Sequence, residues 1–461
     1  MRRERLVALV TLVLLQLFVV AAGAHLLTSD LLTKKAPEST ASAEPPPVPV
    51  VTAGPVLVSG GNGPLPAKGT LTAALTKALG DPALGKRVGG AVLDVQTGGV
   101  IFAGDAETGI TPASTTKVAT SVAALASLGP DTRLSTRVVR GTTANSIVLV
   151  GGGDPTLAGP KPLAGPVYPV QASLPVLARR TAKALKAAGI TKVSVTYDDS
   201  LYTGPRVPPS WKPNYIPDGE AAPVTALMVD EGRVTPGVRQ RVADPSRTAY
   251  RVFTALLPKY GVAVSGGGAT RARAQAGAQE IARVDSAPVY ALVERALTLS
   301  DNDLAEALAR QVALKEGLPV SFDGGAAAVR KVLARLGVTQ GVRVFDGSGL
   351  SPDNRIAPAS LARLVALAAS PANPHLRSAI SGMPIAGFTG TLGHRFTKNH
   401  SVYGLVRAKT GTLNGVNTLT GVTTTREGRL VAFAFMADDV PPGWGKAEAA
   451  LDRLAATVAA S

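Results

Sequence analysis

Apolar residues recur along this chain at two spacings, and the switches between them divide it into helices and strands. Leu71, Leu75 and Leu79 share one helical face, and residues 118–128 form a longer apolar stripe. Short apolar runs over 88–95 and 100–103, joined by Gln96-Thr97-Gly98-Gly99, predict a β-hairpin. Further on, the spacing predicts strands over 136–139, 146–150, 192–198 and 262–265, with helices over 174–188 and 247–257. Helix then strand, twice over, marks a compact α+β module. Residues 201–223, with six prolines, read as a long surface loop. Helical spacing returns up to Leu299 and over 304–316, 360–369 and 374–381. Strands then follow over 404–409, 418–424 and 430–437, and a closing helix over 446–459. The expected architecture is α+β: antiparallel strands flanked by the first and last helices, a helical cluster between them, and the smaller module inserted.

The N-terminus breaks this pattern. Arg2, Arg3 and Arg5 precede an apolar run over 6–24 that ends at Ala22-Gly23-Ala24, a small-residue cleavage pattern. The run is also just long enough to span a bilayer, so residues 1–27 are either a signal peptide or a membrane anchor. Either way the chain is exported. Residues 28–68, rich in Pro, Ala, Ser and Gly, read as an extended linker.

Composition narrows the chemistry. The 461 residues, 45% of them hydrophobic, suffice for two domains or more. The sequence has no cysteine, which removes disulfides, thiol nucleophiles and thiolate metal sites. A net charge of +16 suits an anionic partner such as wall polymer, or simply scattered surface charge. With 4% aromatic residues and no basic tract interleaved with them, the chain has no platform for nucleic acid. His25, His375, His394 and His400 form no close ligand pair, and no GxSxG elbow is present. No metal or cofactor is therefore expected.

Three short motifs remain, in an informative order. Thr111-Pro112-Ala113-Ser114-Thr115-Thr116-Lys117 reads as a helix start, and residues three apart share a helix face, so Lys117 can lie beside Ser114. Ser300-Asp301-Asn302 sits between two predicted helices, where it could equally be a capping turn. Lys409-Thr410-Gly411-Thr412 lies on a predicted edge strand. Acyl transfer needs an activated nucleophile, a proton carrier and oxyanion donors. Ser114 supplies the nucleophile. Lys117 is the general base if burial beside a second cation, Lys409, keeps it neutral. Ser300 is placed as a proton relay, and Asn302 to bond both the lysine and a substrate amide. Lys409 adds a charge, Thr410 and Thr412 add hydroxyls, and Gly411 leaves room for substrate backbone. The backbone N–H groups of Ser114 and Thr412 would form the oxyanion hole. The Gly151-Gly152-Gly153-Asp154-Pro155 run lacks a following GK[ST] and reads as a tight turn, not a phosphate loop.

With these motifs together, the chain resembles the D-alanyl-D-alanine carboxypeptidase/endopeptidases of the type-4, class C low-molecular-mass penicillin-binding protein family. The resemblance also rests on Leu149-Val150-Gly151-Gly152-Gly153-Asp154-Pro155-Thr156-Leu157, Asp346-Gly347-Ser348-Gly349-Leu350-Ser351 and Gly390-Thr391-Leu392. It implies a penicillin-binding transpeptidase/β-lactamase-like domain over 69–133 and 286–461, with a second domain, 134–285, inserted between the first two motifs. The third domain that some members nest after Val229-Asp230 is expected to be missing, since only a short connection follows. The implied activity is serine-type D-Ala-D-Ala carboxypeptidase action, with DD-endopeptidase action beside it, on peptidoglycan stem peptides in the bacterial cell envelope. It would proceed through an acyl-serine and be inhibited by β-lactam antibiotics. A β-lactamase or esterase on the same site, or an inactive wall-peptide-binding envelope protein, are the alternatives.

Overall fold

The computed structural model describes residues 61–461 other than 164 and 444, together with residues 13 and 15–17. The expected export segment, apart from those few positions, and residues 28–60 of the expected linker lie outside the described residues. Among the described residues no helix is long and apolar enough to cross a membrane.

Two sheets organise residues 61–461. The first contains β1 (Arg87–Asp94), β2 (Val100–Gly104), β8 (Arg407–Leu413), β9 (Val416–Thr424) and β10 (Leu430–Asp438), in the order β2-β1-β10-β9-β8 and antiparallel throughout. Its central strand is apolar on both faces because both faces are covered. Alternate side chains of a strand point to opposite sides. Val431, Phe433 and Phe435 of β10 therefore meet α1 (Lys68–Leu79) and α10 (Lys446–Ala459), the first and last helices. Ala432, Ala434 and Met436 face the other way, into the larger core.

That core is built from α2 (Thr116–Leu128), α5 (Val289–Thr298), α6 (Asn302–Lys315), α7 (Phe322–Arg335), α8 (Pro358–Ala369) and the one-turn α9 (Ser378–Ser381). In α2 every residue from Thr116 to Leu125 is buried. A helix buried on every face belongs inside a fold, and α2 runs through the middle of the cluster. Its first turn is thereby held by packing on every side.

The second sheet has the order β6-β5-β4-β3-β7, formed by β3 (Ser135–Arg140), β4 (Ser146–Val150), β5 (Lys192–Asp198), β6 (Ala263–Ser265) and β7 (Glu280–Asp285). β4, β5 and β6 run parallel, as helix-linked strands do, while β3 is antiparallel to both neighbours. The linking helices, α3 (Leu174–Ala187) and α4 (Pro245–Leu256), pack on one face. Because β3 pairs with β7, the segment leaves and rejoins the helical cluster at one place, where Ser286 N–H donates to the Leu134 carbonyl at 2.8 Å. Between Gly232 and Pro245 the chain makes only a short connection, with a bridge between Arg233 and Arg241.

Two elements escaped the sequence pattern. In α7, Gly324 and Gly325 lower helix propensity, yet Gly324 packs where any Cβ would meet the Pro319 carbonyl at 1.8 Å. β7, Glu-Ile-Ala-Arg-Val-Asp, is an edge strand whose charged residues hide its alternation. β8 also begins and ends three or four residues later than expected, so it carries the whole of Lys409-Thr410-Gly411-Thr412.

Candidate active site

Ser114 lies in a tight 3-10 turn, Ala113–Thr115, that leads into α2. Ala113 has φ of 48°, a left-handed conformation that a residue with a Cβ seldom adopts without external restraint. The restraints are visible. Thr115 Oγ1 and Thr418 Oγ1, the latter from β9, both donate to the Pro112 carbonyl, at 2.6 and 2.9 Å. Thr116 Oγ1 donates to the Ala113 carbonyl at 2.8 Å. A Cβ on Gly349 would meet that same carbonyl at 1.9 Å, so the 346–351 turn can close over the nucleophile turn only with glycine there.

Lys117, fully buried, places Nζ 3.0 Å from Ser114 Oγ, 2.6 Å from Asn302 Oδ1 and 2.7 Å from the Ser348 carbonyl. Asn302 is held in turn by Nδ2 donating to the Glu220 carbonyl at 2.8 Å, from the inserted segment. Asp301 caps α6 by accepting from Leu304 N–H at 3.0 Å. The capping role and the lysine contact thus fall to neighbouring residues. Ser300 adopts φ of 55° and lines the cleft, but among the described residues no hydrogen bond joins it to Ser114, Lys117 or Asn302. The structure therefore does not bring Ser300 into the lysine's hydrogen-bond set.

β8 forms the other wall. Ala408 N–H, on the open edge, donates to the Pro384 carbonyl, and the two-residue period turns the amides of Thr410 and Thr412 to the same side, away from β9. Thr410 Oγ1 shares a 2.8 Å hydrogen bond with Thr391 Oγ1, and Ser114, Thr391, Thr410 and Thr412 line one cleft of about 920 Å³. Lys409 is buried behind them, with Nζ donating to the Thr410 carbonyl at 2.7 Å. Gly411 corrects an expectation. Its missing side chain faces the nucleophile turn, not a substrate: a Cβ there would lie 2.2 Å from Thr418 Oγ1 and 2.6 Å from the Pro112 carbonyl.

Burial dominates the electrostatics. It drives Lys117 down to about 8, against the opposing pull of Asp346, Glu306, Asp301 and Asp303. Lys409 falls well below its ordinary value through burial, with Lys117 adding to the effect. For Lys117 the main cause is desolvation. The inserted segment brings Lys212, Tyr215, Glu220, Glu231, Arg233 and Arg241 to the same cleft. Glu231 is paired with Arg295 and Arg233, and Arg241 with Asp303, so these charges are largely matched. Burial and the adjacent Glu231 push the Asp301 carboxyl up. None of His375, His394 and His400 lines the cleft.

Sequence reasoning missed the Ser348 carbonyl, Glu220 and Thr391 as partners at the site. A backbone carbonyl leaves no trace in side-chain identity, whereas Gly347-Ser348-Gly349 and Gly390-Thr391-Leu392 did stand out as short patterns.

A two-wall serine–lysine cleft of this kind, between an antiparallel sheet and a helical cluster, defines a penicillin-binding protein fold. The D-Ala-D-Ala carboxypeptidase 3 (S13) family matches residues 71–241 and 236–458, and the chain belongs to that family. It is similar to a carboxypeptidase of Mycobacterium tuberculosis, 37% identical over 89% of this chain and 88% of that protein. It is also similar to carboxypeptidase DacB of Mycolicibacterium smegmatis, 35% identical over 99% of this chain and 97% of that one. Among solved structures, penicillin binding protein 4 of Haemophilus influenzae superposes with a TM-score of 0.68, at 22% identity, over 83% of this chain and 97% of that chain.

Proposed function

We propose that Ser114 is the nucleophile and Lys117 the general base of a serine-type D-Ala-D-Ala carboxypeptidase. One observation carries the assignment: Lys117 Nζ meets two carbonyl oxygens, of Asn302 and Ser348, and one hydroxyl, of Ser114. Carbonyl oxygens only accept. A neutral lysine therefore gives its two N–H groups to them and turns its lone pair toward the Ser114 proton.

In the reaction, Ser114 Oγ bonds to the carbonyl carbon of the penultimate D-alanine while its proton passes to Lys117 Nζ. The oxyanion falls between the amides of Ser114, unpaired at a helix start, and Thr412, on the open edge of β8. As the C–N bond breaks, the proton goes to the departing D-alanine amine, by way of Ser300 or directly. Water then cleaves the acyl-serine with the same base. Asn302 keeps Lys117 aligned, and Thr410, braced from behind by Lys409, shapes the wall against which the substrate lies. The catalytic fold is drawn from 69–133 and 286–461, with 134–285 as the insert.

Attack on a D-alanyl bond that joins two stem peptides would open a cross-link by the same steps, so DD-endopeptidase action is part of the proposal. β-Lactams, whose strained amide acylates such a serine, are the expected inhibitors. The reaction is placed outside the cytoplasm, in the cell envelope. The test is release of D-alanine from a peptide ending in D-Ala-D-Ala. The protein should release it and Ser114→Ala should not. Equal release by both would refute the assignment, and rapid turnover of penicillin without peptide cleavage would favour a β-lactamase.

A further inference from the structure

Asn302 and Glu306 stand one turn apart on α6, and both bear on Lys117. Asn302 does so directly. Glu306, 1% exposed, does so through the 346–351 turn. Its Oε1 accepts from the backbone N–H groups of Gly347 at 3.0 Å and Ser348 at 2.8 Å, and the Ser348 carbonyl is the oxygen 2.7 Å from Lys117 Nζ. The Gly347 carbonyl accepts from Thr120 Oγ1, on α2, at 2.7 Å. On its far side Glu306 Oε2 accepts from Arg310 Nη1 at 3.2 Å, and the Arg310 guanidinium lies 3.9 Å from the Phe322 ring centre. An unbroken line of bonded groups thus runs from Arg310 through Glu306 and the turn to the lysine.

We propose that Glu306 is a positioning residue for acyl transfer: it aims the Ser348 carbonyl at Lys117 and, through its charge, sets how readily Lys117 accepts the Ser114 proton. The inference rests on Lys117 being the base. The groups facing that lysine are Asp346 of the turn, Asp301 of the joint before α6, Asp303 and Glu306 of α6, and Lys409 of β8. Burial and the facing Asp346 push the Glu306 carboxyl up, while Arg310 and the Ser348 amide work to keep it ionised. Asp346 spends its oxygens largely within its own turn and on Trp211, accepting from Gly349 N–H, Ser351 N–H, Asn354 Nδ2 and Trp211 Nε1. Glu306 is the carboxylate that ties the turn to α6, the helix bearing Asn302.

The experiment is the rate of acylation by benzylpenicillin against pH, for the full chain and for Glu306→Gln, Glu306→Asp and Lys117→Met. Glu306→Gln keeps an oxygen for the two amides but removes the charge. Lys117 then loses its proton more easily, and the acidic limb should move to lower pH, by on the order of half a unit or more. Glu306→Asp keeps the charge but shortens its reach, and should slow the plateau by roughly tenfold without that downward shift. A limb that stays put in Glu306→Gln while Lys117→Met is inactive overturns the proposal and leaves the base assignment standing. Wild-type acylation by Lys117→Met would overturn that assignment itself. Should the Glu306 variants fail to fold, Thr120→Val frees the Gly347 carbonyl of the same turn; severalfold slower acylation supports the aiming role, and an unchanged rate overturns it.

Discussion

At Lys117 three oxygens, two carbonyl and one hydroxyl, converge on one fully buried nitrogen, and its surroundings decide what the residue can do. Burial favours the neutral amine, while four carboxylates favour the ammonium; the outcome, about 8, leaves a usable base just above neutrality. Since the lysine acts when unprotonated, acylation should rise with pH through about 8 and level off above it. A pH–rate profile of penicillin acylation checks this, and a rate that falls across that range would contradict it. Lys117→Met should lower the rate on the order of 100-fold or more, the usual scale of general-base loss. At this scale the sequence was most informative for paired residues at fixed spacing. Ser114 and Lys117 were legible because i and i+3 share a helix face. The Ser348 carbonyl was not, because its identity lies in the backbone. Gly411 was visible, but which neighbour needed the space was not.

The elements around the site depend on close approach between β8, the nucleophile turn and the 346–351 turn. Gly411 sets the first of these contacts. Gly411→Ala would drive a methyl into the Thr418 hydroxyl and into the Pro112 carbonyl, which is backbone with little freedom to move. The expected cost is about 1–3 kcal/mol, together with slower acylation, because the strand bearing Thr412 and the turn bearing Ser114 would part. Thermal unfolding and acylation rate measured on one preparation check both effects; an alanine variant with unchanged values would contradict the packing role. Helices and strands with clean periodicity, such as α10 and β10, could be read from sequence. α7 and β7 could not, since tertiary contacts at Gly324 and along an edge strand override local preference.

Over the whole molecule, the first sheet joins strands from both ends of the chain, β1 and β2 with β8, β9 and β10. One buried ion pair fastens this closure: Arg429 Nε and Nη2 donate to the two oxygens of Asp94 at 2.7 and 2.6 Å. Burial works to raise the Asp94 carboxyl, but Arg429 and Thr97 hold it down to about 2. A carboxylate depressed in the folded state stabilises above its ordinary pKa of 3.8 and loses that contribution as pH falls toward 2. Asp94→Asn should therefore destabilise the protein at pH 7, on the order of 3 kcal/mol, and flatten its acid unfolding between those pH values. Denaturant titrations at several pH values test it. That residues 69–133 and 286–461 form one domain was expected from the family resemblance, but this pair was not, since nothing local connects Asp94 to Arg429. The central claim, a nucleophilic Ser114 activated by Lys117, is tested most directly by the intact mass of the protein incubated with penicillin, followed over time with peptide mapping. The account predicts one persistent adduct, on Ser114, absent from Ser114→Ala. An adduct that survives that substitution, or none at any time, would contradict it.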